Sequence, residues 1–193
     1  IINKINTAYS LLGQSADTRL IQTVAENKQP FFVEWAPNFG PMLFSIPLLL
    51  ILAFIGSTIL LYYSISQSIS NHRERIILTG SWVLFISAIT LTRYSPQSIF
   101  HGSGFISTAS YLLSIVFVFV CFVYVKNKVM KRGEKNPYEN ISINIILMQM
   151  FFVISLISAR TFIRLVLMLV PMISILVAYI ATIAGWRLYD SGK

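Results

Sequence analysis

Five stretches of this chain run without Asp, Glu, Lys or Arg for long enough to cross a lipid bilayer. They are Pro41–Ile65, Ile76–Thr92, Phe105–Val125, Ile141–Ala159 and Leu165–Trp186. Spanning takes about 20 apolar residues, because the hydrocarbon is about 30 Å thick and a helix rises about 1.5 Å per residue. The second stretch is short but is flanked by Arg75 and Arg93. Pro171 falls inside the fifth, where a membrane helix tolerates it if neighbours satisfy the freed carbonyl. The expectation is an all-α, polytopic membrane protein. An external segment, residues 1–40, precedes a transmembrane helical domain, residues 41–193.

Charge position sets the expected orientation. The chain is 11% charged, against roughly 25% in a soluble domain, yet carries a net charge of +8. Nucleic acid or a basic cytoplasmic loop can each account for such an excess. Here Lys126, Lys128, Lys131, Arg132 and Lys135 gather between the third and fourth stretches. The positive-inside rule places that linker, 126–139, in the cytoplasm. Counting spans puts Ser66–Arg75 and the tail with Arg187 and Lys193 on the same side. Residues 1–40, the 93–104 loop and the turn near Arg160 then lie outside. The basic excess reads as a topology signal, and no nucleic-acid partner is expected. Asn140-Ile141-Ser142 is a formal glycan acceptor, expected to stay unmodified on the cytoplasmic side.

Several chemistries find no footing. Cys121 is the single cysteine and sits in an apolar run, which excludes a disulfide framework and reads as packing. There is no internal repeat, Gly-rich phosphate loop or zinc spacing. Ile1 and Lys193 carry no terminal feature, as expected of an internal fragment.

Two motifs remain. The first is Thr23-Val24-Ala25-Glu26-Asn27-Lys28-Gln29-Pro30, followed by Phe31, Phe32 and Trp35. On residue chemistry alone it is a juxtamembrane loop with aromatics at headgroup level, or a capping box from Thr23 to Glu26. Residues 1–30 read as a long polar loop that substrate binding would order. The second is Ser158-Ala159-Arg160-Thr161-Phe162-Ile163-Arg164-Leu165, running on to Pro171. Arg160 and Arg164, four apart, are expected on one helix face. With no acid nearby in sequence, they either snorkel to the interface or clamp an anionic headgroup such as a lipid pyrophosphate.

Taken in this order, with Leu11-Leu12-Gly13-Gln14 upstream, the two motifs resemble the catalytic subunit of an archaeal-type oligosaccharyltransferase. That enzyme moves a glycan from a lipid-linked diphosphate onto the asparagine amide of an Asn-x-Ser/Thr acceptor. The resemblance implies a multi-pass cell-membrane protein with the active-site loop on the external face. It implies Glu26 as the catalytic residue at the acceptor amide and as a ligand of a divalent metal, Mn²⁺ or Mg²⁺. It implies Thr23 and Arg164 as substrate-binding residues, Arg164 at the donor diphosphate. Arg93, in Arg93-Tyr94-Ser95-Pro96, competes with Arg164 for that role. The implied partners are the lipid-linked oligosaccharide, an acceptor polypeptide and membrane lipid. Between Glu26 and Arg164 this chain carries one more helix pair than the familiar pattern. The family's N-terminal acidic ligands and its Trp-Trp-Asp-Tyr-Gly motif are not in this chain. Two other readings stay open: a transporter or flippase with Arg160 and Arg164 along its path, and a non-catalytic membrane subunit.

Overall fold

Prolines, polar caps and glycines decide where the long apolar runs turn into helices. The computed structural model describes residues 29–102, 104–133, 136–139 and 141–191, with the backbone alone at 163 and 184–191. Thr23, Glu26 and the rest of segment 1–28 lie outside the described residues, as does Asn140.

The described chain opens with a single helical turn, α1 (Phe32–Trp35), and a 3-10 turn, Ala36–Phe39. A two-residue hairpin follows, β1 (Met42–Leu43) against β2 (Ile46–Pro47), closed by Phe44 and Ser45 at φ 50° and 64°. The first apolar run is therefore not helical from Pro41, as its length predicts. Pro41 and Pro47 have no N–H to give a helix, and a residue ahead of proline is pushed toward extended backbone. The Leu48 N–H closes the hairpin instead, on the Pro41 carbonyl at 2.9 Å.

Five long elements follow: α2 (Leu48–Ser66), α3 (His72–Leu91), α4 (Phe105–Lys131), α5 (Ile143–Thr161) and α6 (Leu169–Ser191), the last preceded by a 3-10 turn, Ile163–Met168. All five regions are long and apolar enough to cross a membrane, the fifth over Arg164–Ile183. This points to a membrane-embedded helical bundle. Asn71 caps α3, its side chain accepting the Arg73 N–H at 3.0 Å, so Arg73 and Arg75 join the helix rather than a loop. Pro171 falls in the first turn of α6, where a missing N–H removes little intrahelical bonding. The kink that its place in the fifth run would require is avoided.

Helix α2 packs on α3, α5 and α6, and α5 also touches α3 and α6. Helix α4 meets the bundle chiefly through α3. Its flank is exposed at Leu112, Leu113, Val116, Phe119, Val120 and Val123, the apolar surface expected of a helix bathed in lipid. The core is built from Leu50, Ala53, Ile86, Phe152, Leu156 and Leu176 among others. Gly56 sets a close crossing of α2 and α6: a Cβ there would lie 2.7 Å from the Leu176 carbonyl oxygen. Small residues let membrane helices approach this way.

One polar knot joins three helices inside the apolar layer. Trp82 Nε1–H donates to Ser57 Oγ at 2.9 Å. Ser57 Oγ–H donates to Gln149 Oε1 at 2.6 Å, and Gln149 Nε2–H returns to the Ser57 carbonyl at 2.8 Å. Gln149→Leu removes both Gln149 bonds. It is expected to lower the unfolding midpoint in mixed micelles by the equivalent of about 0.6–1.7 kcal/mol, the range measured for interhelical bonds in a membrane. An unchanged midpoint would show that the knot contributes no stability.

At the end of the bundle where α3 begins, Glu74 is fully buried and pairs with Arg132 and with Lys128, the latter at 3.5 Å. The expected cationic loop is thus partly helix. Helix α4 continues through Lys131 because nothing interrupts it until Gly133, which takes φ 76° and closes the end on the Met130 carbonyl at 3.0 Å. The linker then folds back, with Tyr138 Oη–H on the Phe122 carbonyl at 2.7 Å. Burial pushes the Tyr138 phenol up to about 12, so the bond to Phe122 keeps its proton through the physiological range.

Candidate functional site

Three pieces of chain meet at the opposite end: residues 29–40, the 92–104 connection between α3 and α4, and the end of α5. Backbone pairing joins the first two. Phe32 N–H donates to the Arg93 carbonyl at 2.8 Å and Val33 N–H to the Tyr94 carbonyl at 3.2 Å. The Phe32 and Tyr94 rings stack at 5.7 Å, and Trp35 closes on Phe32 edge-on at 5.0 Å. The aromatics that sequence chemistry placed at headgroup level are therefore partly structural: Phe32 and Trp35 are buried.

Arg93 crosses this junction. Its Nε–H donates to the Pro30 carbonyl at 3.2 Å and its Nη2–H to the Gln29 carbonyl at 3.1 Å, with the guanidinium 4.8 Å above the Phe31 ring. Gly102 makes room for it. At φ 88° it holds a conformation that L side chains avoid, and a Cβ there would come within 2.8 Å of Arg93 Cγ. Arg93 and His101 form an antiparallel bridge across the connection.

Arg160 lies on the other side of Thr92. Its Nη1–H groups reach the Ile89 carbonyl at 3.3 Å and the Thr92 hydroxyl, and the guanidinium sits 4.5 Å above the Tyr111 ring of α4. Thr92 Oγ1–H in turn donates to the Ala88 carbonyl at 2.6 Å. These contacts of Arg93 and Arg160 are carbonyls, a hydroxyl and ring faces, all uncharged. The end of the bundle that receives residues 29–40 carries Arg93, Arg160 and Arg164 beside one described carboxylate of that segment, Glu34, which accepts the Phe31 N–H at 2.9 Å.

Arg164 does not share a helix face with Arg160. Helix α5 stops at Thr161, Phe162 takes an extended conformation (φ −142°, ψ 136°), and Arg164 stands exposed on the 3-10 turn that follows. Thr161, Phe162 and Ile163 are β-branched or aromatic and weak helix formers, so a four-residue spacing that suits a continuous helix does not survive there. Arg160 is turned inward and half-buried; Arg164 faces outward at the same end.

Thr23 and Glu26 fall outside the described residues, whose first member, Gln29, comes three positions after Glu26. Among the described residues no three His, Cys, Asp or Glu side chains come together, so they do not by themselves make a metal site. A groove of about 550 Å³ runs between α3 and α4 near this end, lined by Leu84, Ala88, Leu91, Thr92, Leu113 and Phe117. It is apolar and borders the exposed side chains Leu113 and Phe117 of α4.

Sequence reasoning passed over Tyr111, Gly102 and Glu74. Tyr111 had no signal, since an aromatic in an apolar run has many uses. Gly102 was signalled by two glycines close together, Gly102 and Gly104, in a short connection. Glu74 had the clearest mark: a lone acid at a span edge, with Lys128 and Arg132 four apart on one face elsewhere. Comparison with protein-family models, curated proteins and solved structures returns no match.

Proposed function

We propose that this chain is the external-loop and membrane-helix portion of an oligosaccharyltransferase. It moves a glycan from a lipid-linked diphosphate to the side-chain amide of asparagine in an Asn-x-Ser/Thr polypeptide. One observation carries the reading. The segment leaving Glu26 is bonded to Arg93 and Tyr94 at the end of the bundle that also holds Arg160 and the turn with Arg164. Two motifs more than a hundred residues apart are thus supported as one neighbourhood, cationic and beside the apolar layer that would hold the lipid.

The chemistry needs these residue types. An amide nitrogen is a poor nucleophile because its lone pair is delocalised into the carbonyl. The Glu26 carboxylate accepts an N–H bond from the acceptor and favours the transition state in which that delocalisation is lost. The bond between the anomeric carbon and the diphosphate oxygen breaks, the N-glycosidic bond forms, and the amide proton passes to the Glu26 carboxylate that accepts its hydrogen bond and from there to solvent. The lipid diphosphate leaves with its charge opposed by the exposed Arg164 guanidinium, a planar fork suited to phosphate oxygens. In this reading Thr23 would be a substrate-binding residue. The divalent metal in this reading, Mn²⁺ or Mg²⁺, would take Glu26 as one ligand and add positive charge at the diphosphate. A single carboxylate does not hold such an ion, so Glu26 would be one part of its site.

The test is transfer itself. The full-length protein in vesicles, given a lipid-linked oligosaccharide and an Asn-x-Ser/Thr peptide, is expected to yield glycopeptide; its absence with folded protein overturns the reading. Orientation is separately checkable. The reading puts residues 1–40 and the Arg93 end outside the cell membrane, and the Glu74 end with its cations in the cytoplasm. An impermeant thiol reagent on cells is expected to label Lys28→Cys and to spare Lys131→Cys. The reverse pattern inverts the topology and removes the site from the glycan-transfer face.

A further inference from the structure

We propose that the strip of α4 running through Phe117, Val120, Tyr124, Lys128 and Lys131 binds one anionic phospholipid, its phosphate on the two ammonium groups and an acyl chain along the apolar part. The proposal is independent of the glycan-transfer reading and needs only that the five apolar helices lie in a bilayer. Steps of three and four keep residues on one face of a helix, and all five of these residues are exposed. The strip changes character along its length. Phe117 and Val120 are apolar, Tyr124 is amphipathic, and Lys128 and Lys131 are cations. That is the profile of a lipid read from chain to headgroup.

Helix length sets the depth. At about 1.5 Å per residue, the uncharged part of α4, Phe105–Val125, is roughly as long as hydrocarbon is thick. The stretch from Lys126 to Lys131 therefore stands at headgroup depth, and it is still helical. Hydropathy predicts a loop there; the helix instead holds the two ammonium groups about one turn apart. Tyr124 falls at the boundary, where tyrosine rings are enriched.

Charge supplies the complement. Lys128 Nζ lies 3.5 Å from Glu74 Oε1 and 5.6 Å from the centre of the Tyr124 ring. Glu74 is fully buried and its Oε1 accepts no hydrogen bond. The carboxylate thus fixes where Lys128 stands without taking its N–H donors in directed bonds. Lys131 has no ion pair among the described residues. In the stretches 72–75 and 126–132, Arg73, Arg75, Lys126, Lys128, Lys131 and Arg132 stand against the single carboxylate of Glu74. An anion from outside is the missing partner, and such clusters at a membrane surface attract anionic lipid. That anion must also bring an apolar chain, because Phe117 and Val120, 47% and 58% exposed, continue the strip. Free phosphate would leave them bare, and an acidic polypeptide has no chain suited to hydrocarbon depth. A phospholipid meets both demands.

The experiment titrates the full-length protein in mixed micelles with phosphatidylglycerol, and separately with phosphatidylcholine, and reads retained lipid by native mass spectrometry. One phosphatidylglycerol per chain is expected to be retained in preference to phosphatidylcholine. Half-saturation is expected to rise about fivefold for Lys128→Gln and for Lys131→Gln, and about 25-fold for the double variant, the effect of one cation at a time near an anionic surface. Lys131→Arg keeps the charge and is expected to bind as the unaltered protein does. Inorganic phosphate is expected to compete only weakly. Equal retention of the two lipids overturns the proposal, as does unaltered half-saturation in both single variants. Inorganic phosphate that competes as well as the lipid makes this a free-anion site and overturns the lipid assignment. Loss of the lipid in Arg164→Gln, with none in the lysine variants, overturns it by moving the headgroup to the opposite end. Should the double variant fail to fold, the two single variants, each at an exposed position, decide the matter.

Discussion

On the transferase reading proposed above, replacing Glu26 with Gln is expected to cut glycan transfer by the full-length protein on the order of a hundredfold or more in kcat, the loss typical of a positioned group that acts in the transition state. The substitution keeps nearly the same shape and removes the charge, so it isolates electrostatics. A carboxylate accepts hydrogen bonds through both oxygens, whereas the carboxamide of Gln turns one of them into a donor. That donor would face the acceptor amide N–H and repel it. KM for the acceptor is expected to change less than kcat, since the interaction is strongest once the amide lone pair has been freed. Single-turnover transfer with a pre-bound donor measures this without product release. Near-normal transfer by Glu26→Gln would leave the Thr23–Glu26 segment a passive external loop.

Arg164→Ala is the second large effect. The exposed guanidinium on the 3-10 turn Ile163–Met168 is expected to meet the donor diphosphate. Losing one charge-assisted contact costs about 1.5–3 kcal/mol, roughly tenfold to a hundredfold. The loss should fall on donor KM, with acceptor-peptide affinity little changed. Arg164→Lys is expected to recover only part of it, because the charge remains and the fork does not. The exposure of Arg164 also sets it apart from Arg160, which is half-buried against Thr92 and Tyr111. Titrating lipid-linked donor against both variants decides the matter. A silent Arg164→Ala with a donor defect in Arg93→Ala would transfer the diphosphate to Arg93.

The five long apolar helices were legible because hydrocarbon would leave little choice: a run such as Phe105–Val125 is expected to be a helix, and it is. Their ends were less legible, since they turn on single residues. Helix α4 runs six residues past Val125 before Gly133 ends it, and Pro47 holds back α2; neither effect is visible in hydropathy. The second motif was readable as chemistry but not as geometry. Its two arginines look paired along a helix until Phe162 adopts an extended backbone. The role of Arg93 was beyond local pattern altogether, because its carbonyl partners lie 63 and 64 positions away. Glu74 is similar: its cations sit 58 residues downstream in the case of Arg132. Long-range pairing of this kind is set by how helices return to one another, and a one-dimensional period carries no record of it.

The close crossing at Gly56 bears on how the chain is made. Its partner surface, the backbone at Leu176, is synthesised 120 residues later, the difference between the two positions. At about 5–20 residues per second, α2 waits roughly 6–24 s for α6 after leaving the ribosome. If the helices enter a bilayer, the notch over Gly56 would be lined during that interval by lipid or by whatever the insertion machinery offers, while α3, α4 and α5 arrive in turn. The packing of α2 on α6 is thus completed late in the synthesis of the two, and Gly56 marks a point where their backbones come close.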